Sequence, residues 1–221
     1  MIVRANVIGA GRVGSAVAAR LRERGVELTL DEPELLLLCV PDRAIAETAA
    51  LIPVGPWVAH VSGATSLAAL APHERRFSLH PLQTFTTSRG PEQIDGAFAA
   101  VTAETDEARE VALWLAEALG LRPFTLADDR RAAYHAGASI ASNYLVTLRR
   151  AAGALLEAAG APPEALDPLM RRTIENGFEL TGPIARGDWQ TVEAHRAAIR
   201  ATRPELERLY ETLADATRKL L

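Results

Sequence analysis

The chain has 221 residues, room for one large domain or two small ones, and with 48% hydrophobic and 24% charged residues it is too apolar to stay disordered. Twenty-four basic against 28 acidic residues leave a net charge of −4, so no basic field exists to hold nucleic acid or an anionic membrane. The longest apolar run, residues 35–40, is far short of the roughly 20 residues of a membrane span. Met1 leads straight into a strand-like segment, and the expectation is a cytoplasmic protein without a signal peptide.

Up to about residue 127, short β-branched apolar runs alternate with helical stretches, the pattern of βαβ units in a mostly parallel sheet. Strands are predicted at residues 2–8, 35–40, 57–61, 76–79, 98–103 and 122–126, with helices at 12–24, 42–51 and 106–119. Val7-Ile8-Gly9-Ala10-Gly11-Arg12-Val13-Gly14 joins the first strand to the first helix as a G-x-G-x-x-G turn. There Gly9 permits a tight turn, Gly11 lets a pyrophosphate approach the backbone, and Gly14 lets helix and strand pack closely. Arg12 and Val13 open the helix whose free N–H groups face the anion. A merely structural turn is the other reading.

Asp31 lies 20 residues beyond Gly11, where an acid would hydrogen-bond an adenosine ribose and favour NAD over NADP. Only Asp31-Glu32-Pro33-Glu34 separate Leu30 from the strand starting at Leu35, whereas a parallel crossover takes a dozen or so residues. Residues 26–30 are then either an edge remnant or what is left of a second strand, its helix and a third strand. In both cases the adenosine half of the pocket is shallow or absent, and the cofactor stays open between NADP and NAD.

From residue 128 the strand signal vanishes, and helices are predicted at 128–159, 164–179, 188–201 and 204–220. The fold class is therefore α/β, with a Rossmann-like, mostly parallel sheet over residues 1–127 whose second-strand region is truncated. An all-α substrate or dimerisation domain follows over 128–221. The single cysteine, Cys39, excludes an internal disulfide, and the single lysine, Lys219, argues against Schiff-base or mid-chain lysine chemistry. None of the five histidines has metal-ligand spacing, so no metal is expected.

Ligands of open parallel sheets bind at the carboxyl ends of the strands, and three polar turns fall there. Val40, Pro41, Asp42, Ser62 and Gly63 are assigned to the cofactor, His60 to the substrate and His80 to catalysis; Asp42 reads equally as a helix cap. His60 and Ser62 point to one face of a strand, but no G-x-S-x-G elbow surrounds Ser62, which argues against a serine hydrolase. On the long helix, His135, Ser139 at i+4, Ser142 at i+7 and Asn143 beside them form a polar stripe among alanines, read as a cleft wall. His135 would protonate a carbonyl or imine, Asn143 orient the substrate, and Ser139 and Ser142 line its site. Arg186 would clamp a substrate carboxylate, or else brace its own loop with Asp188.

Val40-Pro41-Asp42, His60-Val61-Ser62-Gly63, His80-Pro81-Leu82, Tyr134-His135 with Ser142-Asn143, and Thr181 through Asp188 with His195 together resemble a known family. It comprises uncharacterised bacterial proteins that join a Rossmann-like NADP-oxidoreductase domain to a helical C-terminal domain of unknown function. They are distant relatives of pyrroline-5-carboxylate reductase, ketopantoate reductase and 6-phosphogluconate dehydrogenase. The resemblance implies a nucleotide domain, a helical domain that often mediates homodimers, and an NAD(P)-dependent oxidoreductase acting on a small carbonyl, imine or hydroxy acid. Two departures keep rivals open. The interval from Gly14 to Val40 is short, and the helix that in hydroxyacid dehydrogenases carries an essential lysine has Tyr134 and His135 instead. The rivals are a catalytically silent binding protein derived from a dehydrogenase, and a ketopantoate-reductase-like enzyme.

Overall fold

A computed structural model describes residues 2–221. The chain divides into two compact units, one ending at Ser139 and the other running Ile140–Leu221. The division lies later than the 127/128 boundary read from the sequence, because the segment 128–139 is tied by side chains into the first unit.

The first unit is built on strands β1 (Arg4–Ile8), β2 (Glu27–Leu28), β3 (Leu35–Leu38), β4 (Trp57–His60), β5 (Arg76–Pro81), β6 (Phe98–Ala103) and β7 (Arg122–Thr125). They form one sheet of order β2-β1-β3-β4-β5-β6-β7, parallel throughout except for the β5–β6 pair. Both β3 and β4 are buried along their whole length, which is why they read as continuous apolar runs rather than alternating ones. Helices α1 (Arg12–Glu23) and α3 (Asp106–Leu119) cover one face, where Leu35, Leu37, Ala59, Phe77 and Leu79 meet Val17, Leu21, Leu115 and Leu119. Helix α2 (Ile45–Ala50) covers part of the other face through Leu38, Val58, Ile45 and Ala49.

The short interval after α1 resolves through register. Leu28 of β2 and Leu35 of β3 both stand opposite Ala5, on its two sides. A parallel crossover needs a dozen residues because the chain must return along the strand it has just made. Here β2 stops level with the start of β3, so no return is needed, and six residues cross the roughly 10 Å between strands flanking β1. The Glu34 carboxylate closes the crossing by accepting from the backbone N–H of Val3 and Arg4, at 2.7 and 2.9 Å. Of the two readings of residues 26–30, the edge remnant is the one realised.

The last helix of the first unit is α4 (Arg131–Ser139). The second unit opens on a π-helical stretch, Ile140–Tyr144, and continues with α5 (Leu145–Ala158), α6 (Leu166–Glu175), α7 (Trp189–Thr202) and α8 (Glu207–Arg218). Asp188 caps α7 by accepting from the Thr191 N–H at 3.1 Å, and Arg196 and Arg200 pair with Glu211 and Glu207 of α8. An uninterrupted helix over 128–159 was expected. The π turn, with its i to i+5 bonding, breaks the i+3/i+4 periodicity on which the stripe through Ser142 and Asn143 was read.

Candidate functional site

One rung of the sheet aligns the site. Ile8, Leu38, His60 and Ser78 stand side by side across β1, β3, β4 and β5. Residues one to four places beyond that rung therefore lie at the carboxyl edge, and this brings together the start of the glycine turn, Val40, Pro41, Asp42, Gly63 and His80. Because β6 is antiparallel to β5, with Pro81 opposite Ala99, the connection through residues 82–97 also leaves from and returns to this edge.

The glycine turn has the geometry its spacing implies. Gly9 sits at φ +113°, and a Cβ there would lie 2.4 Å from the Cys39 carbonyl oxygen; a Cβ on Gly14 would lie 1.8 Å from the Gly9 oxygen. Neither position admits a side chain without moving backbone. Nothing approaches within 4 Å of the Cβ position of Gly11, which opens onto a cleft of about 530 Å³. No side chain caps α1, so the N–H groups of its first turn are left for an anion. These features fit a dinucleotide's phosphates.

The ribose end departs from expectation. Asp31 is exposed, its N–H bonded to Thr29 Oγ1 at 3.0 Å, and by Glu34 the chain is again bonded to Arg4, whose carbonyl accepts at 2.9 Å. The chain turns back on the lower half of β1, so Asp31 is a turn residue and not the acid at the end of a full second strand.

On the sheet face opposite α1, Ser78 and His80 of β5 alternate outward beside His60 of β4. Polar groups there need partners, and Arg131, 2% exposed, supplies them. Its Nη1 donates to the Ser62 carbonyl at 3.0 Å, its Nη2 to Ser78 Oγ, and its Nε to Asp128 Oδ1 at 2.7 Å. Asp128 also accepts from Ser66 Oγ and the Leu67 N–H. Burial opposes ionisation of Asp128, but these hydrogen bonds outweigh it and hold the carboxyl below the usual range. Helix α4 thus starts beside Ser78 and brings Tyr134 and His135 beside His80.

There the chemistry gathers. Tyr134 Oη lies 2.7 Å from His80 Nδ1. A Cβ on Gly63 would lie 2.8 Å from His80 Cε1 and 2.9 Å from His135 Cδ2, so both rings flank Gly63 and any side chain there would displace one of them. Burial, then the neighbouring His135 and Arg131, push His80 down to about 4; burial raises Tyr134 to about 12. His80 is therefore neutral near pH 7. When the phenol donates to Nδ1, Nε2 carries the hydrogen and offers it beside Gly63.

Two assignments are corrected. His60 is wholly buried and touches no open space; its Nδ1 accepts the Ser62 N–H at 3.2 Å, and burial lowers it to about 3. Ser62, a residue 7% exposed, accepts at Oγ from the N–H groups of Ala64 and Thr65. Both brace the turn that presents Gly63, and neither reaches a ligand with its side chain. Asp42 makes no capping bond, since Pro41 precedes its turn; its charge acts on His80, favouring the protonated ring.

Tyr134 and Arg131 were not singled out as functional in the sequence. The signals were the alternation Arg76, Ser78, His80 in β5, which asks for a polar partner, and the i, i+3 spacing of Asp128 and Arg131 at a helix start. Ser139 ends α4 half-buried. In the second unit Asn143 is exposed, its carbonyl accepting from Thr147, and Ser142 is half-buried in the π turn. The Arg186 guanidinium donates to the Thr181 carbonyl of its own loop and not to Asp188, whose carboxylate is taken up by Thr191. Among the described residues no three His, Cys, Asp or Glu side chains cluster as metal ligands, and no helix is long and apolar enough to cross a membrane.

Residues 97–217 match a domain of unknown function, DUF2520. Among solved structures, the chain is similar to a candidate NADP oxidoreductase from Bacteroides fragilis, with TM-score 0.81 and 22% identity over 99% of this chain and 98% of that one. A Thermotoga maritima protein gives 0.77 and 24% over 97% of each chain, and an Aspergillus terreus imine reductase in complex with NADPH4 gives 0.63 and 19% over 99% and 95%. At these identities the likeness is one of fold, a Rossmann-like sheet with a helical part. No functionally curated protein matches the chain.

Proposed function

The chain belongs to the DUF2520 family, and from that premise we propose that it is an NAD(P)-dependent oxidoreductase acting on a small carbonyl, imine or hydroxy acid. The observation that carries the reading is the shared carboxyl edge. An uncapped helix start at Gly11, after β1, and the rings of His80 and His135 against Gly63, after β4, lie along one carboxyl edge of one sheet, with only β3 between the two strands. A nicotinamide dinucleotide, when bound, supplies or accepts the hydride. The α1 N–H groups bind its phosphates. Tyr134 holds His80 so that Nε2–H donates a hydrogen bond to the substrate oxygen or nitrogen, and His135 moves the proton. Relatives of this fold carry NADP or NAD in their descriptions, which supports the cofactor class.

Titration of the purified protein with NADPH and with NADH, followed by nicotinamide fluorescence, is expected to give micromolar binding to at least one. No binding of either at millimolar concentration would leave the glycine turn a structural relic and favour the silent binding protein, the reading that the two-residue β2 supports.

The helical unit is proposed to pair with a second copy. Its buried hydrophobic side chains, among the described residues, are Leu166, Val192 and Ile199, while Ile140, Val146, Leu169, Ile174 and Phe178 are each more than half exposed. So small a core supports an 82-residue unit poorly, and exposed apolar groups at this density mark an interface. Sedimentation at micromolar concentration is expected to show a dimer of 23.7 kDa chains; a monomer would refute it.

A further inference from the structure

Beyond His80 the same face of the sheet carries an aromatic strip that ends in a cation. We propose that this strip holds the non-reacting part of the substrate, an aryl group bearing a carboxylate, with the ring against Phe98 and Phe124 and the carboxylate on Arg122. The proposal rests on the oxidoreductase reading above, which puts the reacting atom at His80, and adds the substrate class and the residues that select it.

Strand polarity puts the strip in place. Because β6 runs antiparallel to β5 and β7 runs parallel to β6, the starts of β6 and β7 lie at the carboxyl edge where the glycine turn and His80 stand. His80 is opposite Ala100, Ala100 opposite Phe124, and Phe98 opposite Arg122. Side chains two apart on a strand share a face. Phe98, Phe124 and Arg122 therefore project on the face of His80, while Ala99 and Val101 turn toward α1 and α3. Leu82 continues the alternation of Ser78 and His80, its N–H bonded to the Phe98 carbonyl at 2.8 Å.

The rings run without a break into the site. Phe98 and Phe124 meet at 6.5 Å between centroids, Phe124 and Tyr134 at 6.0 Å, and Tyr134 and His80 at 5.5 Å, each pair tilted or edge-on. Tyr134 serves both parts: its hydroxyl fixes His80 and its ring closes the strip. The outer end is open, with Phe98 52% and Leu82 40% exposed. Large apolar groups left in water beside a site's polar groups are the lining of an apolar ligand. The Arg122 guanidinium lies 5.8 Å from the centre of the Phe98 ring and, among the described residues, has no ion-pair or hydrogen-bond partner. A guanidinium stacked on a ring keeps its N–H edge free, and that edge grips a carboxylate in pairs.

The spacing selects among carboxylates. From His80 to Arg122 the strip crosses two strand spacings and one two-residue rise, on the order of 10 Å. A carbonyl and a carboxylate separated by a phenylene ring and a two-carbon linker span that distance, whereas a 2-oxo acid, whose two groups are adjacent, does not.

The test is calorimetric titration of the full chain, alone and with saturating NADP+ or NAD+, with three ketones. These are para-carboxybenzylacetone, its para-methyl analogue, and 7-oxooctanoate, which places a carboxylate at a similar span without the ring. The wild type is expected to bind the carboxylated aryl ketone at least tenfold more tightly than either of the others. Arg122→Ala is expected to weaken that compound about tenfold, the lower end for a hydrogen bond to a charged group because Arg122 is exposed, and to leave the methyl analogue within about twofold. Phe98→Ala should weaken both aryl ketones and leave 7-oxooctanoate within about twofold. Both residues are exposed, and an unchanged thermal midpoint would confirm that the variants fold. Equal affinity for the three ketones, binding of none, or an Arg122→Ala protein that holds the carboxylated ketone as tightly as wild type would overturn the proposal. So would a Phe98→Ala protein that sediments as a monomer yet binds the aryl ketones unchanged, which would make the strip a contact between copies of the chain. Titration with NADPH and NADH separates this from the reading beneath it. A chain that takes a coenzyme but none of the ketones loses only the substrate class; one that binds the carboxylated ketone but no coenzyme keeps the strip and loses the oxidoreductase.

Discussion

Replacing Arg131 by methionine is expected to lower the stability of the first unit by about 3 kcal/mol, and its thermal midpoint by roughly 6–12 °C. The side chain is 2% exposed and joins three separate pieces: the turn after β4 through the Ser62 carbonyl, the middle of β5 through Ser78, and the segment before α4 through Asp128. Methionine fills much of the volume but takes one donor each from the Ser62 carbonyl, the Ser78 hydroxyl and the Asp128 carboxylate, the last keeping only Ser66 and the Leu67 N–H, and a buried acceptor that loses its donor costs more than the bond is worth when made. Breaking a buried pair typically costs 3–5 kcal/mol. The lower end applies because the Asp128 side chain keeps 34% of its surface exposed, so water can partly re-solvate it. Arg131→Lys preserves the charge but not the fork and should recover only part. Chemical denaturation of the three proteins checks this, and a methionine variant within about 1 kcal/mol of wild type would mean that the three bonds are replaceable by water. Because α4 carries Tyr134 and His135, the methionine variant should also loosen the contact at His80.

Much of this was legible in the chain. The apolar runs of β3 and β4 announced buried parallel strands, and the glycine spacing announced the turn, because both patterns are local and steric. What escaped depends on partners distant in sequence. The length rule for a parallel crossover left two readings of residues 26–30 open because it presumes strands of similar extent, and only the pairing shows that β2 has two residues, level with the start of β3. His60 and Ser62 looked like site residues because they close a strand at the correct edge. Ser62 Oγ is taken up by the turn at Ala64 and Thr65 and His60 Nδ1 by the Ser62 N–H, while His60 Nε2, left without a hydrogen-bond partner, is buried with no exposed surface. Arg131 was one arginine among 23; only the fold shows that it meets Ser78.

Stability is expected to fall steeply in acid, starting below about pH 6.5, because two histidines fold in the neutral state. Burial lowers His60 to about 3 and His80 to about 4, against about 6.5 in an unfolded chain. Between those values the unfolded chain takes up protons that the folded chain refuses, so unfolding is favoured as pH drops, by somewhat more than 1 kcal/mol per pH unit for each histidine. His80 contributes down to about pH 4 and His60 down to about pH 3. Together they remove on the order of 5 kcal/mol between pH 6.5 and 4, which is comparable to the stability of many domains. The charged neighbours sharpen this: Arg131 disfavours a proton on both rings and His135 on His80, while Asp128 acts the other way on His60 and Asp42 on His80. Asp128, itself held low, adds a further loss as pH falls through its folded value. Urea denaturation at pH 7.5, 6.5, 5.5 and 4.5 should show the slope, and His80→Gln should reduce it by about half. A flat profile would mean that both rings accept protons in place. Above pH 5 the Tyr134–His80 bond should persist with the ring neutral, so any change of activity between pH 6 and 8 must come from a group other than His80.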